Sequence, residues 1–334
     1  MSVDTMRAIV MRASGGPEVL EVRQVPRPVV RDGEVRVRVA TSGINRADLM
    51  QRRGLYPAPA GWPSDILGLE FSGHVEALGA GAEGFEIGQS VMGLVGGGGY
   101  AEYVTLPARQ LLPTPAGLDV INAGALPEAF LTAFDALNLQ MQVKAGETML
   151  IHAVGSGVGT AALQLAHASG ARTLGTARTA AKLEAARELG LDEPLHVEGP
   201  GWHEQVLSLT SGRGVDVIID LVGAPYLADN LASLATRGRM IVVGVPGGRV
   251  AEIDLRGLMA RRASITGTVL RARPDEEKAA LAQEALRRLI PQFECGALHP
   301  VLERTWTPAQ AAEAHAFMEA NRNFGKLLID WTGD

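Results

Sequence analysis

The chain has 334 residues and a single cysteine, Cys295. One cysteine excludes an intrachain disulfide and a zinc site built on cysteine ligands. There are seven histidines, but no H-E-x-x-H motif and no paired histidine spacing, so no metal is expected. Long apolar runs are also absent; none approaches the roughly 20 residues needed to span a bilayer. The opening segment, MSVDTMRAIV, lacks the basic stretch and apolar core of a signal peptide. No run of Lys and Arg is long enough to follow a phosphate backbone, and the formal net charge is −6. These absences lead us to expect a cytoplasmic protein with no nucleic-acid partner and no membrane partner.

The most informative feature that is present is the stretch Ile151–Gly170, IHAVGSGVGTAALQLAHASG. It begins within the apolar run Thr148–Val154, crosses Gly155, Gly157 and Gly159, and continues as an Ala/Leu-rich helical pattern. Gly157-Val158-Gly159-Thr160-Ala161-Ala162 fits the form G-x-G-x-x-A. A buried strand, a tight glycine turn and a helix with free N–H groups at its start together bind a dinucleotide pyrophosphate. Glycine is abundant here, so the spacing alone is weak evidence. The apolar run before it and the strand-like Arg172–Thr176 after it complete a βαβ unit.

The length suits about two domains of roughly 150 residues each. Hydrophobic residues make up 46% and charged residues 20%, ordinary values for a globular enzyme. Up to about Gly124 the chain reads as β-rich, with short runs at Glu34–Ala40, His74–Leu78 and Ala101–Leu106 separated by Gly- and Pro-rich turns. From Ala125 strands and helices alternate. Strands are predicted at Thr148–Val154, Arg172–Thr176, Val215–Val222, Arg239–Val245 and Ser264–Leu270. Helices are predicted at Val158–Ser169, Ala180–Leu189, His203–Thr210, Tyr226–Thr236 and Pro274–Ile290. Repeated βα units imply a doubly wound parallel sheet. The tail, with a strand near Val301–Thr305, a helix at Pro308–Asn321 and a last strand at Lys326–Asp330, is expected to rejoin the first domain. The predicted division is 125–267 for a Rossmann cofactor domain, with 1–124 and 268–334 forming a β-rich substrate domain.

An acidic residue about 20 positions past the glycines marks NAD binding. Here the segment is Gly175-Thr176-Ala177-Arg178-Thr179, without a carboxylate, and Lys182 follows one helical turn later. A ribose 2′-phosphate is attracted by Arg and Lys and repelled by Asp, so NADPH is the expected cofactor. The zinc-assisted alcohol route lacks its ligands. The Tyr-x-x-x-Lys pair is missing too, because none of Tyr56, Tyr100, Tyr103 or Tyr226 has Lys four residues on. There is no G-x-S-x-G elbow. What remains is hydride transfer to an acceptor that is already electrophilic, a quinone or an activated alkene, with the protein supplying mainly proximity.

At this point the chain resembles the zinc-free quinone oxidoreductases of the medium-chain dehydrogenase/reductase superfamily, and most resembles the tumour-suppressor-inducible branch. The likeness runs essentially end to end. It rests on Asn45-Arg46-Ala47-Asp48-Leu49-Met50-Gln51-Arg52, Gly54-Leu55-Tyr56, Leu67-Gly68-Leu69-Glu70, Pro127-Glu128-Ala129-Phe130-Leu131-Thr132-Ala133-Phe134, the glycine loop, and Met318-Glu319-Ala320-Asn321 with Asn323-Phe324-Gly325-Lys326.

The resemblance implies a GroES-like substrate domain, a Rossmann domain, a quinone or enone entering the cleft between them, and a homodimer. It puts Asn45, Leu69 and Glu128 where zinc-dependent relatives carry ligands. It implies that Asn45 and Tyr56 lie beside the nicotinamide, with Tyr56 orienting the ring or relaying a proton. Thr132 is expected at the nicotinamide ribose or amide, and Ser156, Gly157 and Val158 at the pyrophosphate. Thr176, Arg178 and Lys182 are expected around the adenosine ribose, Gly223 and Gly244 along the dinucleotide groove, and Arg271 and Lys326 near the cofactor. Glu70 and Glu128 are read as polar supports. Relatives often carry an aromatic near the adenine; Pro194-Leu195-His196-Val197 has none.

Overall fold

The computed structural model describes residues 4–333. The chain divides into two compact units, Thr132–Val269 and the flanking chain, up to Leu131 and from Leu270 onward.

In the flanking unit, β1 (Thr5–Met11) and β2 (Leu20–Pro26) form an antiparallel pair. Next come β3 (Glu34–Ile44), α1 (Arg46–Arg52), β4 (Glu70–Leu78), β5 (Ser90–Leu94), β6 (Tyr103–Pro107), β7 (Leu112–Pro113), a short α2 (Val120–Ala123) and α3 (Pro127–Phe134), in which the division between units falls. β3 shows why this region reads as strand: Val35, Val37 and Val39 point into the core while Arg36 and Arg38 are more exposed, the two-residue period of a pleated strand.

The other unit holds β8 (Thr148–Ile151), α4 (Gly157–Ala168), β9 (Arg172–Ala177), α5 (Ala180–Glu188), β10 (Glu193–His196), α6 (His203–Leu209), β11 (Val215–Asp220), α7 (Leu227–Ser233), β12 (Leu234–Val242), α8 (Leu255–Arg261) and β13 (Ser264–Gly267). These strands form one six-stranded sheet, in the order β10-β9-β8-β11-β12-β13, with every pair parallel. This is the doubly wound order, which reverses direction between β8 and β11. All four residues of β8 are buried, as a strand covered on both faces requires. Pro194 is accommodated because β10 is an edge strand.

The tail supplies α9 (Asp275–Arg288), α10 (Ile290–Glu294), β14 (Leu302–Trp306), α11 (Ala311–Glu319) and β15 (Lys326–Asp330). β15 pairs antiparallel with β3, Leu327 opposite Ile44, so the tail completes the seven-stranded sheet β14-β15-β3-β4-β5-β7, with β6 also on β3. Leu327, Ile329 and Trp331 pack into the same core as Val35, Val37 and Phe71.

Several expected boundaries move. The helix predicted at Tyr226–Thr236 ends at Ser233, because Leu234 turns extended and pairs with Val215, starting β12 five residues before the predicted Arg239. The run after Phe134 is a π-helical segment, Asp135–Gln140. α8, which no predicted helix covers, has no fully buried residue; of its apolar Leu255, Leu258 and Met259, Leu258 packs against the core of its unit.

One buried polar chain ties the flanking unit together. Arg52, with no side-chain exposure, donates to His315 Nδ1 at 3.1 Å, to the Gly15 carbonyl at 3.1 Å, and to Glu319. Arginine only donates, so Nδ1 must accept and the proton sits on Nε2. Nε2 then donates to Tyr100 Oη at 3.1 Å, and the Tyr100 hydroxyl donates to Asp48 Oδ2 at 3.1 Å. Burial, together with the Arg52 charge, lowers the His315 pKa to about 3.

Removing Glu319 strands a buried guanidinium. Because Glu319 is one-fifth exposed, the cost falls at the low end of the range for broken buried pairs, and Glu319→Ala is expected to lose about 3 kcal/mol in urea unfolding. Folded His315 stays neutral down to about pH 3, whereas unfolded histidine takes a proton near 6.5. The unfolded state therefore binds more protons in that window, and stability falls as the pH is lowered through it. His315→Gln is expected to remove that slope, read as the difference between the two proteins' stability profiles against pH.

Candidate active site

In the Thr132–Val269 unit, the residues marked by the sequence gather at the C-terminal ends of the parallel strands. β8 leads through Ala153, a non-glycine residue at φ 46°, to Ser156, whose hydroxyl caps α4 by accepting from the Gly159 N–H at 3.0 Å. Such a left-handed residue is uncommon outside glycine and concentrates at functional turns. A Cβ on Gly159 would press on the Ala153 and Val154 carbonyl oxygens, so only glycine lets α4 start this close to β8. Gly157 and Val158 form the first turn of α4, where backbone N–H groups lack helical acceptors.

Thr176 and Arg178 sit at the end of β9, Thr176 buried and Arg178 exposed. Lys182 is half-buried on α5. Arg178 lies close enough to Tyr226 for its charge to act on that phenol. Gly223 follows β11 at φ 95°, and a Cβ there would strike the Gly248 carbonyl oxygen at 2.6 Å. Gly244 follows β12; a Cβ there would make only ordinary contacts. Thr132 is 6% exposed, and its hydroxyl has no hydrogen-bond partner among the described residues. A buried hydroxyl without a partner carries a desolvation cost unless something else bonds to it.

The sequence reading missed the polar chain that fixes these strand ends. Asp220 Oδ1 accepts from the N–H groups of Val222 and Gly223 at 2.8 and 2.9 Å, and Oδ2 accepts from Asn230 Nδ2 at 3.2 Å. Asn230 Oδ1 must then accept from His152 Nε2 at 2.6 Å, and His152 Nδ1 accepts from the Thr176 hydroxyl at 3.0 Å. Burial lowers the His152 pKa, in keeping with this neutral tautomer. The one signal available in sequence was Asp220 lying three residues before Gly223.

In the flanking unit, the centre is a buried ion pair between Lys326 on β15 and Glu70 on β4, with side chains 4% and 0% exposed. Lys326 also donates to the Ile44 carbonyl at 3.1 Å and to Asn45 Oδ1 at 2.7 Å, which uses all three of its N–H bonds. Because lysine only donates, the Asn45 amide is oriented: Oδ1 toward Lys326, and Nδ2 donating to Glu70 Oε1 at 2.7 Å. Glu70 Oε2 accepts from the Glu128 backbone N–H at 2.7 Å. A Cβ on Gly43 would overlap the Glu70 carboxylate.

Asp48 joins this group by accepting from the Asn45 and Gly68 N–H groups at 2.8 and 3.1 Å; burial raises its pKa to about 6. Arg271 is buried rather than superficial. It donates to the Gly96 carbonyl at 2.8 Å, to the Tyr56 carbonyl at 3.3 Å and to Gln51, and it lies 5.1 Å from the Tyr56 ring. Burial raises the Tyr56 pKa. Arg271 and Lys326 thus both spend their charge on protein partners.

Glu128 differs from its neighbours. It stands at the start of α3 with part of its surface accessible, and its carboxyl has no protein hydrogen-bond partner among the described residues. Desolvation, helped by the nearby Glu70 charge, raises its pKa to about 7.

Two family models match the chain: "Alcohol dehydrogenase GroES-like domain" over residues 31–116 and "Zinc-binding dehydrogenase" over residues 157–285. A quinone oxidoreductase of Pseudomonas aeruginosa is 34% identical, covering 97% of this chain and 99% of its own. That of Homo sapiens is 33% identical, covering 97% of each. The crystal structure of the Pseudomonas syringae pv. Tomato DC3000 quinone oxidoreductase superposes with a TM-score of 0.88 at 31% identity, covering 97% of this chain and 99% of that one. Mycobacterial Rv1454c, complexed with NADPH, gives 0.87 at 31%, with the same coverages. The chain belongs to the medium-chain dehydrogenase/reductase superfamily. Within it, the chain aligns from end to end with proteins named quinone oxidoreductase, which supports an oxidoreductase using a nicotinamide cofactor.

The zinc in one matched description can be tested against the donor set. Zinc takes Cys, His or carboxylate ligands. Leu69 offers no donor atom, the Asn45 amide is engaged by Glu70 and Lys326, and no three His, Cys, Asp or Glu side chains among the described residues gather as a metal site. The residues do not fit a zinc ion. They do fit a dinucleotide, with a capped α4, a glycine where only glycine is tolerated, and an unpartnered Thr132 hydroxyl. Gly159→Val is expected to lose dinucleotide binding, measured by the change in NADPH fluorescence. Unchanged binding by a folded Gly159→Val protein would refute this placement.

Proposed function

We propose that the protein is a metal-free reductase that transfers hydride from NADPH to quinones. The observation that carries this reading is the glycine-turn βαβ unit, with Arg178 and no carboxylate at the end of β9, in a chain whose full-length relatives are named quinone oxidoreductases.

In this reading Ser156, Gly157 and Val158 hold the pyrophosphate. Thr176, Arg178 and Lys182 receive the ribose and its 2′-phosphate, Gly223 and Gly244 line the groove, and the Thr132 hydroxyl bonds the nicotinamide end. When bound, the dihydronicotinamide supplies the hydride. Asn45 and Tyr56 face the reacting groups, with Asn45 held in one orientation by Lys326 and Glu70. Arg271 fixes the Tyr56 loop. The chain also forms a homodimer in this reading. Its support is the open edge of β13 together with the apolar side chains of Val250, Leu255 and Met259 in the chain leading into it, which are 81%, 60% and 75% exposed. Exposed apolar side chains and an unpaired strand edge are features that interaction surfaces use.

Steady-state assays with quinones of increasing ring size, and with enones as controls, test the reading. The expected result is turnover with quinones and a lower KM for NADPH than for NADH, a gap that narrows in Arg178→Ala. Equal use of both cofactors would overturn the NADPH assignment. Tight NADPH binding with no oxidation by any quinone would overturn the quinone reductase reading, and turnover confined to enones would redirect it to reduction of α,β-unsaturated carbonyls.

A further inference from the structure

The buried ionisable groups around Asn45 are nearly all spoken for. Lys326 has used its three donors, Glu70 accepts from Lys326, Asn45 and the Glu128 backbone, and Asp48 accepts from two backbone N–H groups and Tyr100. The Glu128 carboxyl is the exception. It lines a cavity of about 30 Å³ formed wholly within the flanking unit, with Leu69, Val95, Leu131, Leu281 and Gln110 among its walls. Gln110 is 7% exposed, and its side-chain Nε2 has no hydrogen-bond partner among the described residues. Two polar groups with bonding capacity to spare, a carboxyl and an amide N–H, therefore line one void, together with apolar side chains and the cationic Arg271 and Lys278. That void has room for about one oxygen atom with its hydrogens. When Glu128 carries its proton, both groups are donors, and what the site lacks is an oxygen acceptor.

We propose that Glu128 is the proton donor of the reduction, with the cavity beside it receiving the acceptor's carbonyl oxygen. This inference rests on the reductase reading above and deepens it. Hydride from the dihydronicotinamide brings two electrons to the acceptor. The Glu128 O–H bond breaks and a new O–H bond forms on the acceptor oxygen, so a quinone leaves as hydroquinone and Glu128 as carboxylate. Solvent then returns the proton to Glu128 through its accessible face. The Gln110 amide steadies the oxygen as its negative charge grows, and withdraws nothing from the proton balance.

The charged and titratable groups facing Glu128 have opposing effects. Glu70 on β4 and Asp48 on α1 favour the protonated form, while Lys326 on β15 and Arg271 after β13 favour the carboxylate. Lys278 on α9 lines the same cavity, and Tyr56 on its loop feels the Glu128 charge. Desolvation outweighs the two cations, so the acid persists to about pH 7.

The test compares wild type, Glu128→Gln and Tyr56→Phe. In wild type, kcat for quinone reduction falls as pH rises through about 7, because the donor form disappears. Glu128→Gln is expected to lose about 100-fold in kcat with little change in KM, and to lose that pH limb. Tyr56→Phe keeps the limb. Independently of turnover, the infrared carbonyl band of protonated carboxylic acid should show a component that titrates away near pH 7 in the free wild-type protein, distinct from the Asp48 component near 6, and that component should be missing in Glu128→Gln. An active Glu128→Gln protein with wild-type kcat and pH profile overturns the proposal while leaving the reductase reading intact, as does the absence of that component from wild type. A wild type that oxidises NADPH with no acceptor overturns both.

Discussion

The ion pair between Lys326 and Glu70 is the interaction on which the rest of the flanking unit's site depends. A buried pair of charges loses its hydration, and attraction alone seldom compensates. Here every remaining valence is satisfied. Lys326 spends its other two N–H bonds on Ile44 and Asn45, and Glu70 accepts from Asn45 and from the first turn of α3. The pair also joins the last strand of the chain to the fourth, across 256 residues. The same contacts that hold β15 against β3 therefore orient the Asn45 amide and position the start of α3, where Glu128 stands. Gly43 is required because any side chain would occupy the space of the Glu70 carboxylate.

Charge distribution explains the division of labour among the carboxyls. Glu70 has a cation in direct contact. Asp48 and Glu128 have none at bonding distance, and their pKa values rise, to about 6 and about 7. Asp48 is consumed by two backbone N–H groups and by the Tyr100–His315–Arg52 chain. Of these three, only Glu128 keeps a carboxyl without a hydrogen-bond partner among the described residues. In the other unit, polar satisfaction works differently. The Asp220–Asn230–His152–Thr176 chain fixes strand ends, and Thr132 is left with an unmet hydroxyl.

Much of the fold was legible because it depends on local pattern. The buried β8, the glycine turn and α4 lie within about one residue of their expected start, and Lys326–Asp330 is the strand expected. The wrong boundaries were set by long-range pairing: Leu234 leaves the helical pattern because Val215 is there to receive it. The site was legible only in part, for the same reason. Asn45, Tyr56, Lys326 and Arg271 could be named from a resemblance, but their partners are remote; Arg271 reaches Gln51 across 220 residues and His315 reaches Tyr100 across 215. No local pattern distinguishes Glu128, whose unpaired carboxyl exists only because its neighbours pair with one another.

We propose hydride chemistry without a metal for this superfamily member, with an oriented Asn45 amide and a buried ion pair at positions where the resemblance puts the zinc ligands of relatives. The most direct measurement is a single-turnover reaction of NADPH and a benzoquinone on protein dialysed against a chelator, with zinc content determined by elemental analysis. Zinc-free protein is expected to oxidise NADPH at the rate of untreated protein, with one hydroquinone formed per NADPH. A reaction that stops on chelation and returns with added zinc would contradict it.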